Sequence, residues 1–257
     1  MTITINKKEY PLHTLDAGAQ ELSKKRWDSI AKPLHSLGKM EDLVIQTAGI
    51  TGDANVTYEK KALIVMCADN GVVAEGVTQS EQNVTAIVSE NFLSDKATAA
   101  ILCKQTGAEI FPIDIGIAVD TKLENHKIAY GTKNMAKEPA MTREEAEKAM
   151  EVGIEKVREL SGQGYKIIAT GEMGIGNTTT SSALASYFLQ EDVEKMTGRG
   201  AGLTSKALEK KIAVVRKAIA DYSPSFTDAI DALAALGGFD IAGMAGVFLG
   251  GAIYRVP

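Results

Sequence analysis

The sequence predicts an α/β fold: a doubly wound, mostly parallel sheet with helices on both faces, preceded by a small helical N-terminal subdomain. Three observations predict it. Apolar runs of strand length alternate with segments of helical periodicity, a carboxylate stands at or just after the end of each run, and a glycine-rich turn follows one of them. Near-continuous apolar runs are typical of parallel strands covered on both faces. Alternating strands and helices also indicate that ligands bind beyond the carboxyl ends of the strands.

The N-terminal part of the chain has helical apolar spacing. Residues 14–50 contain apolar faces that include Leu22, Trp27 and Leu43, and they precede the first apolar run. We therefore expect residues 1–55 to form the helical segment of a small domain. We expect residues 56–257 to form an α/β nucleotide-binding domain.

Three predicted strands follow in order. Residues 62–68 read ALIVMCA, residues 108–114 read AEIFPID after an apolar-periodic helix, and residues 165–170 lead into the glycine-rich turn. Because parallel strands end at one edge of a sheet, the carboxylates at their ends are predicted to share a cleft, although each could instead cap a turn. These candidate cleft carboxylates are Asp69, Asp114 and Glu172.

The segment 171–180 reads GEMGIGNTTT and joins the third strand to a predicted helix. Glycines let the backbone take positive φ and approach a ligand, and amides of a first helical turn bind anions. Hydroxyl and amide side chains can cap that turn or bind a phosphate. We interpret the segment as a phosphate cradle rather than an ordinary strand-to-helix turn.

The same segment partly fits the P-loop pattern. Gly171, Gly176 and Thr178 have the P-loop spacing, but Asn177 stands where a P-loop has its lysine. Without that charge on the β- and γ-phosphates, we expect a site for a single phosphate and not nucleoside triphosphate hydrolysis. An ATP-driven P-loop enzyme is the least favoured hypothesis.

A second glycine-rich segment, residues 197–202, reads TGRGAG and precedes a predicted helix over about residues 204–220. This segment resembles a second anion-binding loop. Lys211 borders the apolar stripe of this helix, whereas most helical lysines extend into solvent. Lys211 is therefore a candidate ligand-binding residue whose alternative is a solvated surface role.

Composition excludes several classes of protein. The net charge of −5 disfavours nucleic-acid binding, and two cysteines fit a reducing cytosol better than a disulfide framework. The N-terminus lacks a signal-peptide core, and the uncharged stretch 241–254 is too short to span a membrane, so we interpret it as a buried helix. Three widely separated histidines predict no metal site. We expect a cytoplasmic protein with small-molecule partners.

Further motifs occur in a fixed order around these loops. They are residues 32–41, residues 68–77 with Gln82 and residues 84–85, residues 114–116, residues 171–179, residues 198–202 and residues 237–246. Together they resemble the nicotinate-nucleotide:dimethylbenzimidazole phosphoribosyltransferases of cobalamin lower-ligand assembly. The resemblance covers most of the chain, and GEMGIGNTT is its most specific segment.

The resemblance implies a glycosyltransferase that moves phosphoribose from nicotinate mononucleotide to 5,6-dimethylbenzimidazole or a related base. The products would be α-ribazole phosphate and nicotinate, and no metal or cofactor is expected. It also implies a cytoplasmic homodimer that binds neither nucleic acid nor membrane.

The resemblance assigns roles to residues of this chain. Around the phosphate and ribose it places Gly174, Gly176, Asn177, Thr178, Gly200 and Lys211. Gln82 would line the base pocket, and Glu172 would lie where base and ribose meet. A carboxylate there can stabilise the oxocarbenium character that develops as nicotinate leaves, so Glu172 is the candidate catalytic residue.

The chain also departs from the family pattern. Family members continue past the position of Pro257 and carry their general-base glutamate there, which implies that the α/β domain is incomplete at its C-terminus. Asn70 stands where histidine is common, and Leu34 and His35 replace a usual Pro-Gly. The competing hypothesis is therefore a non-catalytic nucleotide-binding fragment or module of the same family. The preferred base stays open.

Overall fold

The computed structural model covers residues 1–257 and begins with an antiparallel ribbon of β1 (Thr2–Ile5) and β2 (Lys8–Pro11). The ribbon differs from the expectation of a purely helical N-terminus. Alternating Thr and Ile favour a strand, and Asn6 and Lys7 both take positive φ, as a two-residue hairpin turn requires. Ile5 is fully buried in the main core, so the ribbon packs with the α/β part of the chain.

The predicted N-terminal helices are present as α1 (Ala17–Ser29) and α2 (Lys39–Thr51), which pack against each other. Asp16 caps α1 by accepting a hydrogen bond from Ala19 N, and Gly52 ends α2 in the left-handed region. Large apolar side chains of this pair stay exposed, among them Leu22 and Leu43.

A four-stranded sheet in the order β5-β4-β3-β6 forms the centre of the molecule, and every pairing in it is parallel. The strands are β3 (Lys61–Ala68), β4 (Ala108–Gly116), β5 (Glu124–Asn125) and β6 (Ile167–Met173). The predicted α/β class and mostly parallel sheet are confirmed. β6 runs past the predicted end at Thr170, so that Glu172 lies within the strand and not after it.

Helices cover both faces of the sheet. After β3 come α3 (Val84–Asn91) and α4 (Thr98–Thr106), and later α5 (Arg143–Gly162), α6 (Asn177–Leu189), α7 (Val193–Met196), α8 (Ser205–Tyr222), α9 (Ala229–Leu236) and α10 (Phe239–Tyr254). Ile64 and Met66 of β3 point into the core with α5 and α10, whereas Val65 and Cys67 meet the side of α3 and α4. This alternation makes the sheet doubly wound.

Helices α5 and α10 approach each other more closely than any side chain would allow. A Cβ on Gly246 would stand 1.9 Å from the carbonyl oxygen of Met150, and one on Gly153 would stand 2.2 Å from that of Gly243. The stretch predicted to be a buried helix is α10, and its first turn reaches the carboxyl edge of the sheet. None of the helices combines the length and apolar character that crossing a membrane needs.

Candidate functional site

The first glycine loop, residues 174–176, connects β6 to α6 at the carboxyl edge of the sheet. Gly176 takes φ +95° at the N-cap of α6, where a Cβ would stand 2.9 Å from a methyl group of Val73. A Cβ on Gly174 would stand 2.2 Å from the carbonyl oxygen of Ala68. Gly171, by contrast, has open space around it. The structure therefore requires glycine at 174 and 176 for packing and conformation.

Several loop amides are already hydrogen-bonded within the protein. Ile175 N donates to Thr85 Oγ1 at 3.0 Å, Asn177 N to the Gly174 carbonyl at 3.1 Å, and Thr178 N to the Asn177 side chain at 2.7 Å. These bonds hold the loop in one shape. Fewer backbone amides of this loop are therefore free to bind an anion than the glycine pattern alone predicts.

Lys211 joins this loop to the second one. Its side chain on α8 is fully buried, and Nζ donates to Thr178 Oγ1 at 2.7 Å and to the Gly198 carbonyl at 3.2 Å. No carboxylate lies within ion-pair distance, and burial lowers the pKa of the ammonium group. Gly200 lies beside both groups, since a Cβ on it would stand 3.1 Å from Thr178 Oγ1. The solvated surface role for Lys211 is wrong.

A cavity of about 110 Å³ lies between the two loops. Pockets for drug-sized ligands are about 300–1,000 Å³, so this one suits a group as small as a phosphate. Its walls are residues 77–80, residues 175–178, residues 199–201, Leu203 and Lys211.

Sequence reasoning missed two parts of this wall. The segment 77–80 contributes the polar side chains of Thr78, Gln79 and Ser80. The only signal for it was a run of small polar residues after Gly76. Arg199 also lines the cavity, where its guanidinium donates to the Leu203 carbonyl at 2.7 Å and to Ser205 Oγ at 3.1 Å. Arg199 thereby ties the second loop to the start of α8.

The three predicted cleft carboxylates lie at the same edge but differ in surroundings. Asp114 pairs with Lys127 at 2.9 Å and accepts hydrogen bonds from Thr121 Oγ1 and Ile117 N, so its oxygens are engaged in ordering the loop after β4. Asp69 is buried and accepts from Ala118 N, while its Oδ1 has no donor. Burial raises the pKa of Asp69.

Glu172 is the carboxylate nearest to the glycine loop in sequence, and it is half-buried. Asn177 Nδ2 donates to its Oε2 at 2.5 Å, which links β6 to the first residue of α6. Burial raises the pKa of Glu172, and the Asn177 hydrogen bond opposes that rise. Neither Glu172 nor Gly174 lines the small cavity. Gln82 does not line it either and lies half-buried just before α3.

Sequence reasoning also missed Asp240, the lone charge in the apolar stretch that forms α10. Asp240 is fully buried and accepts hydrogen bonds from Asn70 Nδ2 at 3.2 Å and from Ile241 N at 2.9 Å. Burial, with a smaller contribution from the charge of Glu172, raises the pKa of Asp240 to about 7. Asn70 is also fully buried, so its contacts are with protein. No group of three or more His, Cys, Asp or Glu side chains could hold a metal ion.

A larger groove lies elsewhere, along the outer edge of β6. Its volume is about 460 Å³, and apolar side chains such as Ile168, Val247 and Phe248 make up much of its wall. It shares no residue with the loop cavity and contains no Asp or Glu side chain. The loop cavity, which gathers a buried cation, hydroxyls and two glycine loops, is therefore the candidate site.

Comparisons with known proteins show which family the chain is similar to. A family model described as phosphoribosyltransferase matches residues 12–257, which include both glycine loops and α8. The nicotinate-nucleotide–dimethylbenzimidazole phosphoribosyltransferase of Clostridium tetani is 45% identical over 100% of this chain and 73% of its own length. The enzyme of the same name from Clostridium acetobutylicum is 49% identical over 96% of this chain and 71% of its own.

A solved structure gives the same result for the fold. The crystal structure of CobT from Thermus thermophilus superposes with a TM-score of 0.88 at 32% identity, covering 93% of this chain and 73% of that one. The similarity therefore extends from sequence motifs to the arrangement of the whole sheet.

Proposed function

Because the chain belongs to the nicotinate-nucleotide–dimethylbenzimidazole phosphoribosyltransferase family, we propose that the cavity between its glycine loops holds the phosphate of nicotinate mononucleotide. The chain is a phosphoribosyltransferase, a glycosyltransferase that transfers a pentose. Its reaction moves phosphoribose from nicotinate mononucleotide to 5,6-dimethylbenzimidazole or a related base, and yields α-ribazole phosphate and nicotinate in cobalamin lower-ligand assembly.

The burial of Lys211 is the single observation that carries the phosphate assignment. An ammonium group withdrawn from water is costly unless a countercharge accompanies it, and Lys211 has only neutral oxygens from Thr178 and Gly198. A phosphate in the adjoining cavity would supply that charge. The Thr178 hydroxyl, and Arg199 on the opposite loop, offer further donors at the same place.

The proposed catalytic role belongs to Glu172. As the bond between C1′ and the nicotinate nitrogen breaks, its electron pair passes to the pyridine ring and positive charge develops on the ribose. A carboxylate beside that carbon stabilises this charge, and the Asn177 amide orients it. The benzimidazole nitrogen then bonds to C1′ from the opposite side, and the proton on its other nitrogen passes to solvent water. We assign Gln82 to the wall of the base pocket.

Three further features extend the proposal. We propose that the protein acts as a homodimer in the cytoplasm on small molecules alone. Family membership is the ground for the homodimer, and the net charge of −5 disfavours nucleic acid as a partner. Light scattering coupled to gel filtration measures the assembly state, and a monomer at micromolar concentration would contradict the dimer.

The experiment combines turnover with binding. The chain is incubated with nicotinate mononucleotide and 5,6-dimethylbenzimidazole, α-ribazole phosphate is followed by chromatography, and nicotinate mononucleotide affinity is measured by calorimetry. Lys211→Met removes the buried charge, and Lys206→Met on the exposed side of α8 is the matched control.

Because a hydrogen bond to a charged group contributes roughly 1.5–3 kcal/mol, Lys211→Met should weaken binding about tenfold to a hundredfold, and Lys206→Met should not. Equal effects would overturn the phosphate assignment. Binding without product would favour a non-catalytic nucleotide-binding module.

A further inference from the structure

Asp240 and Asn70 form a polar pair in the protein interior, directly beneath the first glycine loop. Asn70 follows β3, Asp240 lies in the first turn of α10, and both side chains are fully buried. Their hydrogen bond of 3.2 Å joins residues 170 positions apart. The pair therefore exists only because the fold brings the end of one strand to the start of a distant helix.

The glycine loop rests on this pair. A Cβ on Gly174 would stand 2.9 Å from Asp240 Oδ2 and 3.0 Å from Asn70 Nδ2. A Cβ on Gly176 would stand 3.1 Å from the Cβ of Asn70. Because these distances leave no free space, the height of the loop above the sheet depends on where the two side chains stand.

The helix that carries Asp240, α10, is packed tightly against α5. Gly246 sets α10 against α5 at backbone contact, so that the start of α10 has little freedom to shift. Gly238, the N-cap of α10, is equally confined. A Cβ there would stand 2.3 Å from Asp240 Oδ1 and 2.4 Å from Asn70 Oδ1. The pair is therefore held from the side of α10.

The pair is an unfavourable choice for stability alone. Asp240 has no basic partner, and Asn70 Oδ1 is buried without a donor. A buried carboxyl group with incomplete hydrogen bonding is costly, and apolar side chains of similar volume often pack at least as well. A polar pair at this position is better explained by a requirement of the loop above it.

We propose that Asp240 and Asn70 are positioning residues for phosphoribosyl transfer, which hold the loop of residues 174–176 at the height where Thr178 and Lys211 meet the phosphate. The link to phosphate rests on the proposed function. The positioning of the loop itself does not, because it follows from the contacts of the unliganded protein.

The test uses three variants and a control in the full chain. Asp240→Asn keeps the shape of the side chain, and Asn70→Asp places two carboxyl groups together. The double variant, which carries both substitutions, restores one acid and one amide in reversed order. Glu151→Gln is the control, since Glu151 is a partly buried carboxylate that binds Asn6 and Lys8 of the N-terminal ribbon.

Amide hydrogen exchange of residues 174–178 reports loop positioning without any ligand. We expect Asn70→Asp to speed amide hydrogen exchange at least tenfold and Asp240→Asn to speed it less. The double variant should return the rate to within threefold of the parent. Glu151→Gln should leave it unchanged. If Asn70→Asp fails to fold, the comparison of Asp240→Asn with the double variant still decides whether the pair positions the loop. Exchange at parental rates in every folded variant would overturn the proposal.

The affinity for nicotinate mononucleotide tests the link to function. It should fall in parallel with the loss of loop protection, whereas the affinity for 5,6-dimethylbenzimidazole should change less than threefold. Altered loop exchange with unchanged nucleotide affinity would show that the pair positions the loop for packing only and would overturn the positioning role in transfer. Failure of the parent chain to bind the nucleotide would count against the proposed function, and the exchange result would stand separately.

Discussion

Lys211 Nζ donates a hydrogen bond of 2.7 Å to Thr178 Oγ1, and this contact joins the middle of α8 to the first turn of α6. Thr178 belongs to the first glycine-rich segment, and Lys211 lies on the helix that follows the second. Their meeting turns two separate sequence patterns into one cavity that has a buried positive charge in its wall.

Lys211 should lower the stability of the ligand-free protein. Burial lowers its pKa in the folded state below the ordinary 10.5, so the folded chain releases a proton that the unfolded chain keeps. Stability should therefore rise with pH through the interval between the lowered pKa and 10.5. Lys211→Met should be more stable by about 1 kcal/mol near neutral pH and should lose its share of this pH dependence. Urea denaturation at several pH values checks both, and a destabilised Lys211→Met would contradict the argument.

The three glycines of the segment 171–176 should differ in their tolerance of alanine. Gly176→Ala forces a side chain into φ +95°, and Gly174→Ala drives Cβ into the Ala68 carbonyl, so each should cost about 1–3 kcal/mol and weaken nucleotide binding. Gly171→Ala is the control, because its surroundings are open. Thermal melts and calorimetry of the three variants provide the measurement. Similar losses at all three positions would contradict the packing and backbone requirements of Gly174 and Gly176 and would favour a common role of the three glycines in contacting the ligand.

Asp114 should act on stability and not on substrate. Asp114→Asn leaves the buried Lys127 ammonium without its carboxylate, which should cost roughly 3–5 kcal/mol. Nucleotide affinity of the folded fraction should stay within threefold of the parent. Urea titrations combined with binding at low denaturant distinguish the two effects. A large loss of affinity in a stable Asp114→Asn protein would place Asp114 in the binding site after all.

Ionisation of Glu172 should determine the acid limb of the pH–rate profile. Its carboxylate must be ionised to stabilise the ribosyl cation, and burial raises its pKa above the usual 4.5. The rate should therefore fall as pH drops, with a midpoint above 4.5. Glu172→Gln should lower kcat by about 10²–10³ and remove this limb. Single-turnover rates across the pH range test the point. A retained acid limb in Glu172→Gln would assign it to another group.

Asp240 should make the protein less stable as pH rises from acid to neutral. Its pKa is about 7 in the folded state against 3.8 ordinarily, so the folded chain holds a proton that the unfolded chain has released between these values. Glu172 and Cys67 are the titratable groups coupled to it by charge, and no basic side chain offsets them. Asp240→Asn has no such proton, so its free energy of unfolding should increase relative to that of the parent as pH rises across this interval. A difference independent of pH would contradict the buried proton.

The predicted elements and the composition of the loops came from local properties of the chain. Apolar runs and helical periodicity identified β3, β4 and α10, because each pattern is written in consecutive residues. The ribbon of β1 and β2 was not predicted, although alternating Thr and Ile before Asn6 and Lys7 carried a signal for it. Glu172 was assigned to a turn because the run that leads to it becomes less apolar after Thr170, whereas pairing with β3 extends the strand to Met173.

By itself, the sequence determined the α/β class and the gathering of polar groups at one edge of the sheet, and it led to the proposal of a phosphate site at two glycine motifs. Tertiary structure alone decided how these groups are used. It paired Asp114 with Lys127, confined Gly174 against β3, and placed Asp240 under the loop beside Asn70. The physical reason is that periodicity depends on neighbours along the chain, whereas burial, countercharge and close approach depend on segments as distant as residues 70 and 240.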